Sequence, residues 1–389
     1  MMRLLEHASI TKGMPVIVRA DLDVGVKNGK VADDFRLRAD IPTLRYLLDR
    51  GAHIRIVGYV GRPQGKRDKK LTLEPIARRL HILLGKKVVL LRDPFAQETM
   101  HRYGQSPDIL LFENIRFWQE EISNSPAFAR RLARWGDCYV NDAFANAHRC
   151  EASLVAVPGI LPSYAGLRLS QEMAALERLM KHPRHPFVAI LGGAKIETKL
   201  PLIKRFLRDA DHVLVGGALA NTLFAAAGYN VGKSLMDKEM KVATALLKNK
   251  KLILPSDVIA ADTLASGAAR HVRLADSVGV DEYIADIGPA SRMLFAKIIS
   301  QAKTIVWNGP MGFAEVAAYA RGTTVIAQAM RKSGGFTVVG GGDTVAFLTR
   351  HGLASGFSHI STGGGAMLEF LAGKKLPAIE ALKKSHARN

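Results

Sequence analysis

Two cysteines in 389 residues, Cys138 and Cys150, are too few for a disulfide framework. They form no CxxC pair, so a zinc site of the finger or ribbon kind is not indicated either. Both read as reduced thiols of a cytoplasmic protein. Long apolar runs are also missing. The start, MMRLLEHASI, lacks the uninterrupted apolar stretch that a secretory signal needs. The most apolar window, Val213 to Val231, is broken by Asn221, Thr222 and several glycines, and reads as buried strand plus helix instead of a membrane span. Acidic residues are scarce beside basic ones, 35 against 55, which leaves a net charge of +20. That balance suits anionic substrates and permits binding to nucleic acid or an anionic membrane surface. The basic clusters are short, however: GKRDKK (65–70), KNKK (248–251) and the tail KKSHARN. No long basic block or aromatic-interleaved stripe accompanies them, so a solvated, generally basic surface is expected.

What the chain has in quantity is glycine, 35 residues, many of them just after apolar runs. Such placement brings backbone close to a ligand. Strand, glycine-bearing turn and helix alternate along the whole length. The strands are MPVIVRADLDV, HIRIVGYV, KKVVLL, PDILLF, DCYVND, PFVAILGG, HVLVGG, KLILP, TIVWNG and FTVVGGGD. Helical segments separate most of them; in DDFRLRADIPTLRYLLDRG, Ile41, Leu44 and Leu48 share a face that ends at Gly51. Alternation of this kind predicts an α/β protein with parallel sheets covered on both faces. The length favours two doubly wound, Rossmann-like domains over one. The joining element is expected in LRLSQEMAALERLMKHPRHP, where Leu169, Met173, Leu176 and Leu179–Met180 fall at helical spacing before a Pro/His break. A cleft between domains joined this way is where ligands are expected. The expected division is residues 1–167, a helix and linker over 168–185, and residues 186–369.

Three junctions in the second half repeat one pattern of strand, glycines and helix: LGGAKIETK (191–199), VVGGGDT (338–344) and STGGGAMLEFL (361–371). Glycine lets backbone N–H groups reach phosphate oxygens, and a helix N-terminus favours negative charge. Together they predict an anion site. Lys195 and Lys199, four apart, are placed to neutralise charge on a transferred phosphoryl group. Asp343 falls at an expected N-cap, where its carboxylate either caps the helix or holds Mg²⁺. AGYNVGKS (227–234) fits a relaxed Walker A pattern, but the segment before it reads as helix and a true phosphate loop follows a strand. In the first half, Arg19, Arg36, Arg62, Arg116 and Arg149 each fall at a strand end or in a loop. Ligands of open parallel sheets bind at strand carboxyl ends, and guanidinium forks suit carboxylate and phosphate. A basic pocket for a small, multiply anionic acceptor is expected there.

In order and spacing, the segments RADLDV (19–24), DDFRLRADIPTL (33–44), VGYVGRP (57–63), LFENIRF (111–117), VNDAFANAHR (140–149), LGGAKIETK, WNGPMGFAE (307–315), VVGGGDT and SHISTGGGA (358–366) resemble those of phosphoglycerate kinases. The resemblance covers essentially the whole chain. It implies two doubly wound domains joined by a helix, with the tail from about 370 to 389 returning to the N-terminal domain. It also implies reversible phosphoryl transfer between 1,3-bisphosphoglycerate and ADP, giving 3-phosphoglycerate and MgATP. The phosphoglycerate would be held by Asp21, Arg36, Arg62, Arg116 and Arg149, with Asp23 and Tyr59 beside it. Arg36 would also stabilise the phosphoryl group in flight. Lys195 and Lys199 would contact the nucleotide phosphates and the transferring group. Gly193, Gly216, Gly341, Gly342 and Thr344 would line the nucleotide, with Asn308 beside its phosphates, Glu315 on the ribose and Asp343 on Mg²⁺. A monomer is implied.

Three positions depart from the family pattern. Asp23 replaces an Asn, Tyr59 a His, and Glu151 commonly a second His. An ionised Asp23 accepts hydrogen bonds but donates none. Tyr59 trades a potentially cationic ring for a neutral hydroxyl, and Glu151 adds negative charge near Arg149. All three fall on the acceptor side, and each is expected to weaken phosphate binding or, in the case of Glu151, to orient Arg149. Two alternatives therefore stand beside the kinase reading: a kinase of the same fold acting on another small carboxylate, and a nucleotide-responsive protein binding nucleic acid through its charge.

Overall fold

The β-branched runs between glycine turns become parallel strands in the computed structural model, which describes residues 2–193 and 196–386, apart from the side chains of Thr198 and His386. The chain divides into two compact units, Met1–Ala174 with Lys374–Asn389, and Ala175–Gly373. The division falls inside the helix Leu167–Lys181. Among the described residues, no helix is long and apolar enough to cross a membrane.

In the first unit, six strands form one sheet: β1 (Pro15–Arg19), β2 (His53–Val57), β3 (Val88–Leu91), β4 (Ile109–Phe112), β5 (Cys138–Asn141) and β6 (Ser163–Ala165). Their order is β3-β4-β2-β1-β5-β6, and every pairing is parallel. β1 sits centrally, with all residues after Pro15 buried, because helices cover both faces of the sheet. The helix Phe35–Asp49 buries Leu37, Ile41, Leu44 and Leu47 against this core. Leu48, expected on the same face, is half-buried. The helix Pro377–His386 belongs to this unit, with the Ala378 N–H donating to the Ala147 carbonyl at 3.1 Å.

The second unit repeats the design. β7 (Phe187–Leu191), β8 (His212–Val215), β9 (Leu252–Ile253), β13 (Thr304–Asn308), β14 (Phe336–Gly340) and β15 (His359–Ile360) pair in the parallel order β9-β8-β7-β13-β14-β15. Strand order reverses between β7 and β13, the kind of switch point at which open sheets bind ligands. Between β9 and β13 the chain adds a second sheet, absent from the sequence reading. It is antiparallel, with β10 (Asp257–Ala261) between β11 (Arg270–Leu274) and β12 (Tyr283–Ile287). β11, RHVRL, is almost entirely exposed. It therefore carries neither the apolar run nor the strict alternation that marks a strand in sequence.

Candidate active site

The acceptor-side residues of the first unit stand where the strands end. Asp21 and Asp23 follow β1, Tyr59 follows β2, Arg116 follows β4, and Arg149 and Glu151 follow β5. Arg36 enters from the first turn of the helix Phe35–Asp49. Its Nε lies 3.6 Å from the Asp21 carboxylate, and its NH1 donates to the Asp23 carbonyl at 2.9 Å. Burial pushes the Asp21 carboxyl above the ordinary range, with Arg36 opposing that shift. The Asp23 side chain accepts from the Gly61 N–H at 2.9 Å, so it closes the loop after β2 onto the loop after β1.

Arg116 is 7% exposed and tightly engaged. Its guanidinium lies over the Tyr59 ring at 3.3 Å. Its NH1 donates to the Gly61 carbonyl at 3.1 Å, while Nε and NH2 both donate to one oxygen of Glu151, at 3.1 and 2.6 Å. The structure thus corrects the expected partner of Glu151, which is Arg116 and not Arg149. Tyr59 is buried beneath that guanidinium and accepts from Asn146 Nδ2 at 2.9 Å. Burial, partly offset by the adjacent arginines, pushes its hydroxyl up to about 12, so it is neutral at ordinary pH.

Arg19 departs from the expected pocket. It is fully buried, donating from Nε to Ser153 Oγ at 2.9 Å and from NH1 to its neighbour's carbonyl, Ala20. Ser153 in turn donates to the buried Glu121, whose carboxyl is pushed up to about 7 by burial. Arg62 and Arg149 are different again. Both are exposed, and neither makes a side-chain hydrogen bond or ion pair among the described residues. The five arginines therefore divide into two free, two engaged at the site, and one committed to the core.

The second unit builds its site from backbone. After β7 the chain turns through Gly192 and Gly193, after β8 through Gly216 and Gly217, after β13 through Gly309, and after β14 through Gly341. A Cβ at Gly192 would stand 1.9 Å from the Pro310 carbonyl oxygen, so these turns pack backbone on backbone and admit no side chain there. Gly341, at φ +102°, is the N-cap of the helix Gly342–Arg350. Asp343 is consequently not the cap; it lies in the first helical turn, exposed, with no hydrogen bond or ion pair to a described residue. The first bond back into this helix is from the Val345 N–H to the Gly341 carbonyl. Helix geometry leaves the N–H groups of Gly342, Asp343 and Thr344 without intrahelical acceptors, a ready anion site. Nothing stands within 4 Å of a Cβ at Gly342, so its surroundings are open.

Side chains pin these turns. Thr344 is buried and its hydroxyl accepts from the Gly309 N–H at 2.9 Å. Asn308, also buried, donates to the Gly340 carbonyl at 3.0 Å. Lys199 emerges from the helix Ile196–Asp209 and donates to the Gly192 carbonyl, with its Nζ 2.8 Å from where a Gly193 Cβ would be. Burial depresses its ammonium to about 8, against the pull of Asp343. Lys195 lies outside the described residues.

A cavity of about 300 Å³ opens beside these turns, lined by Gly193, Glu315 and Asp343 among the residues singled out in the sequence. Gly216, Asn308, Gly341, Gly342, Thr344 and Lys199 support it without lining it. The missed antiparallel sheet supplies a wall through Tyr283–Ile287. Asp286 on that wall is buried, accepts from the Gly322 N–H at 2.7 Å and pairs with Arg292 at 3.0 Å. Burial still raises its carboxyl to about 6. Nothing in its sequence neighbourhood signals this role, since its partners arrive from the following helices. The Walker-like segment has no part in the cavity's glycine turns: it follows the helix Gly217–Ala226, and Lys233 pairs with Asp281 at 2.9 Å.

Comparison with known proteins places the whole chain in one family. The family model for phosphoglycerate kinase matches residues 7–374. The chain belongs to the phosphoglycerate kinase family. It is 42% identical over 379 residues to a phosphoglycerate kinase of Pelotomaculum thermopropionicum, covering 95% of this chain and 96% of that one. Against a phosphoglycerate kinase of Rubrobacter xylanophilus the identity is 44% over 375 residues, with 95% and 96% covered. Among solved structures, the phosphoglycerate kinase of Coxiella burnetii aligns with a TM-score of 0.87 at 39% identity, covering 99% of both chains. That of Pyrococcus horikoshii aligns at 0.89 and 33%, covering all of both.

Proposed function

We propose that this chain catalyses reversible phosphoryl transfer between 1,3-bisphosphoglycerate and ADP, giving 3-phosphoglycerate and ATP. Family membership over nearly the whole chain supports the reaction. The observation that carries the division of labour is the contrast between free guanidinium groups in one unit and a cavity beside glycine turns in the other. Arg62 and Arg149, which have no partner among the described residues to give up, capture the acceptor's phosphate and carboxylate. Arg36 and Arg116 are already oriented at the same strand ends, beside Asp21, Asp23 and Tyr59.

On the nucleotide side, the N–H groups of Gly342, Asp343 and Thr344 meet phosphate oxygens, and Gly193, Gly216 and Gly341 allow the approach. Asn308 holds the turn at the phosphates, and Glu315 on the cavity wall accepts ribose hydroxyls. Lys199 supplies positive charge to the transferring group, together with Lys195 as the family pattern suggests. The chemistry needs no protein nucleophile. The acceptor carboxylate attacks the γ-phosphorus in line, and positioning with charge neutralisation lowers the barrier.

A magnesium ion fits this arrangement, because Asp343 is an exposed carboxylate on the cavity that makes no hydrogen bond or ion pair to a described residue. Asp343 would hold Mg²⁺, which when bound spreads the negative charge of the nucleotide phosphates. Two free thiols, Cys138 buried and Cys150 exposed, accord with a reducing cytoplasm, where the chain acts as a monomer. A coupled assay with 3-phosphoglycerate and MgATP tests the proposal. Steady turnover at millimolar acceptor is expected, and its absence from folded protein would sink the assignment.

A further inference from the structure

Glu151 is a buried acid placed between two arginines, and it treats them unequally. Toward Arg116 it offers a single oxygen, Oε1, that receives both Nε and NH2 at 3.1 and 2.6 Å. Toward Arg19 it turns Oε2, which lies 3.9 Å from NH2. Neither Oε2 nor that NH2 has a hydrogen-bond partner, although both are buried. Buried polar atoms left this way are costly, and here two of opposite charge face each other just outside bonding range. A movement of about 1 Å would bring them to an ordinary hydrogen-bond distance.

Arg116 is built to survive that movement. Its stacking on Tyr59 and its bond to the Gly61 carbonyl do not involve Glu151. Only the Nε/NH2 edge would be released, the edge that suits a phosphate or carboxylate bidentately. Arg19 is also fixed independently, by Ser153 and the Ala20 carbonyl. Two stationary cations thus flank one acid with room to choose between them.

We propose that Glu151 is a positioning residue that serves as an internal stand-in for the acceptor's anion, pairing with Arg116 in the empty site and passing to Arg19 when the acceptor arrives. This rests on the kinase reading only in taking 3-phosphoglycerate as the acceptor. The consequence is a lowered acceptor affinity, because the incoming anion must displace a carboxylate already in place. The exchange also keeps Arg116 from being stranded as an unpaired buried charge while the site is empty.

The test titrates 3-phosphoglycerate, without nucleotide, into wild-type protein, Glu151→Gln and Glu151→Asp by calorimetry, and assays all three with MgATP. Glu151→Gln removes the competing charge but keeps the shape, and is expected to tighten 3-phosphoglycerate binding and lower its KM about tenfold. Glu151→Asp draws the carboxylate back from Arg116, and is expected to lower both about threefold. KM for MgATP should hold within twofold, a split that a merely loosened structure would not produce. Unchanged or weakened acceptor affinity in either folded variant overturns the proposal, as does failure of both variants to fold. Tighter 3-phosphoglycerate binding in the variants, with no turnover in any protein, would sink the kinase reading and leave the exchange standing. Neither binding nor turnover in any protein would remove both.

Discussion

The two anion sites solve one problem with different materials. In the first unit, charge is carried by side chains, and those withdrawn from water have internal partners: the half-buried Arg36 has Asp21, Arg116 has Glu151, and Arg19 has the Ser153 hydroxyl with Glu151 near. In the second unit, attraction comes from N–H groups at the start of the helix Gly342–Arg350, which need no counter-ion because they carry only partial charge. A guanidinium taken from water demands a partner; an amide at a helix end can wait for one. The side-chain site is therefore adjustable by single substitutions, whereas the backbone site is fixed by glycine and tolerates little.

The sharpest way to break this contrast is at Lys199, the one buried cation of the backbone site among the described residues. Replacing it with Met should cut kcat by about two to three orders of magnitude, the scale expected for a group that stabilises transferring charge. A loss below tenfold would reduce Lys199 to a tie for the Gly192 carbonyl. Next in size is Arg62→Ala. Because Arg62 has no described structural partner, KM for 3-phosphoglycerate should rise roughly ten- to thirtyfold while melting temperature and KM for MgATP stay put. A fall in stability of similar weight would mean that the free guanidinium had been misread.

The pH dependence separates the sites in another way. Lys199 titrates near 8 in the folded chain, below its ordinary 10.5, because burial penalises the ammonium. Between those values the unfolded chain holds the extra proton, so the Lys199 contribution makes folding stability rise with pH across that window. Activity should move the opposite way. kcat/KM for MgATP should fall above pH 8 as the cation is lost, by up to about tenfold per unit. Glu151→Gln should leave that alkaline limb untouched, and a shift in the limb would couple the two sites. The smallest effect is expected at Tyr59→Phe. It removes the bond from Asn146 but keeps the ring under Arg116, so stability should drop by about 1 kcal/mol and acceptor KM should change less than threefold.

The strands, the glycine turns and the arginines at strand ends were legible in the sequence because each follows from local chemistry. PVIVR and FVAIL are β-branched and apolar, and the turns after them need glycine. The pairing of Glu151 with Arg116 was not legible. It depends on loops after β2, β4 and β5 meeting in space, and sequence proximity pointed to Arg149 instead. Arg19 was misread for a related reason: its place at the end of β1 suits a ligand, but Ser153, 134 residues later, claims it for the core. Asp343 read either as a cap or as a Mg²⁺ ligand, and the N-cap at Gly341, with its positive φ, takes the capping role away from it. The antiparallel sheet escaped because its edge strand β11 is exposed, yet β12 walls the cavity.

The two side-chain ties beside the nucleotide cavity, Thr344 to the Gly309 N–H and Asn308 to the Gly340 carbonyl, carry one last implication. They are made within the protein and do not wait for a ligand, so the turns after β13 and β14 lose their conformational freedom during folding. Glycine-rich turns would otherwise forfeit an unusually large entropy on meeting a nucleotide. With the freedom already gone, association should be close to lock-and-key in its kinetics, and the Gly309 amide should resist hydrogen exchange equally in the free and the bound protein.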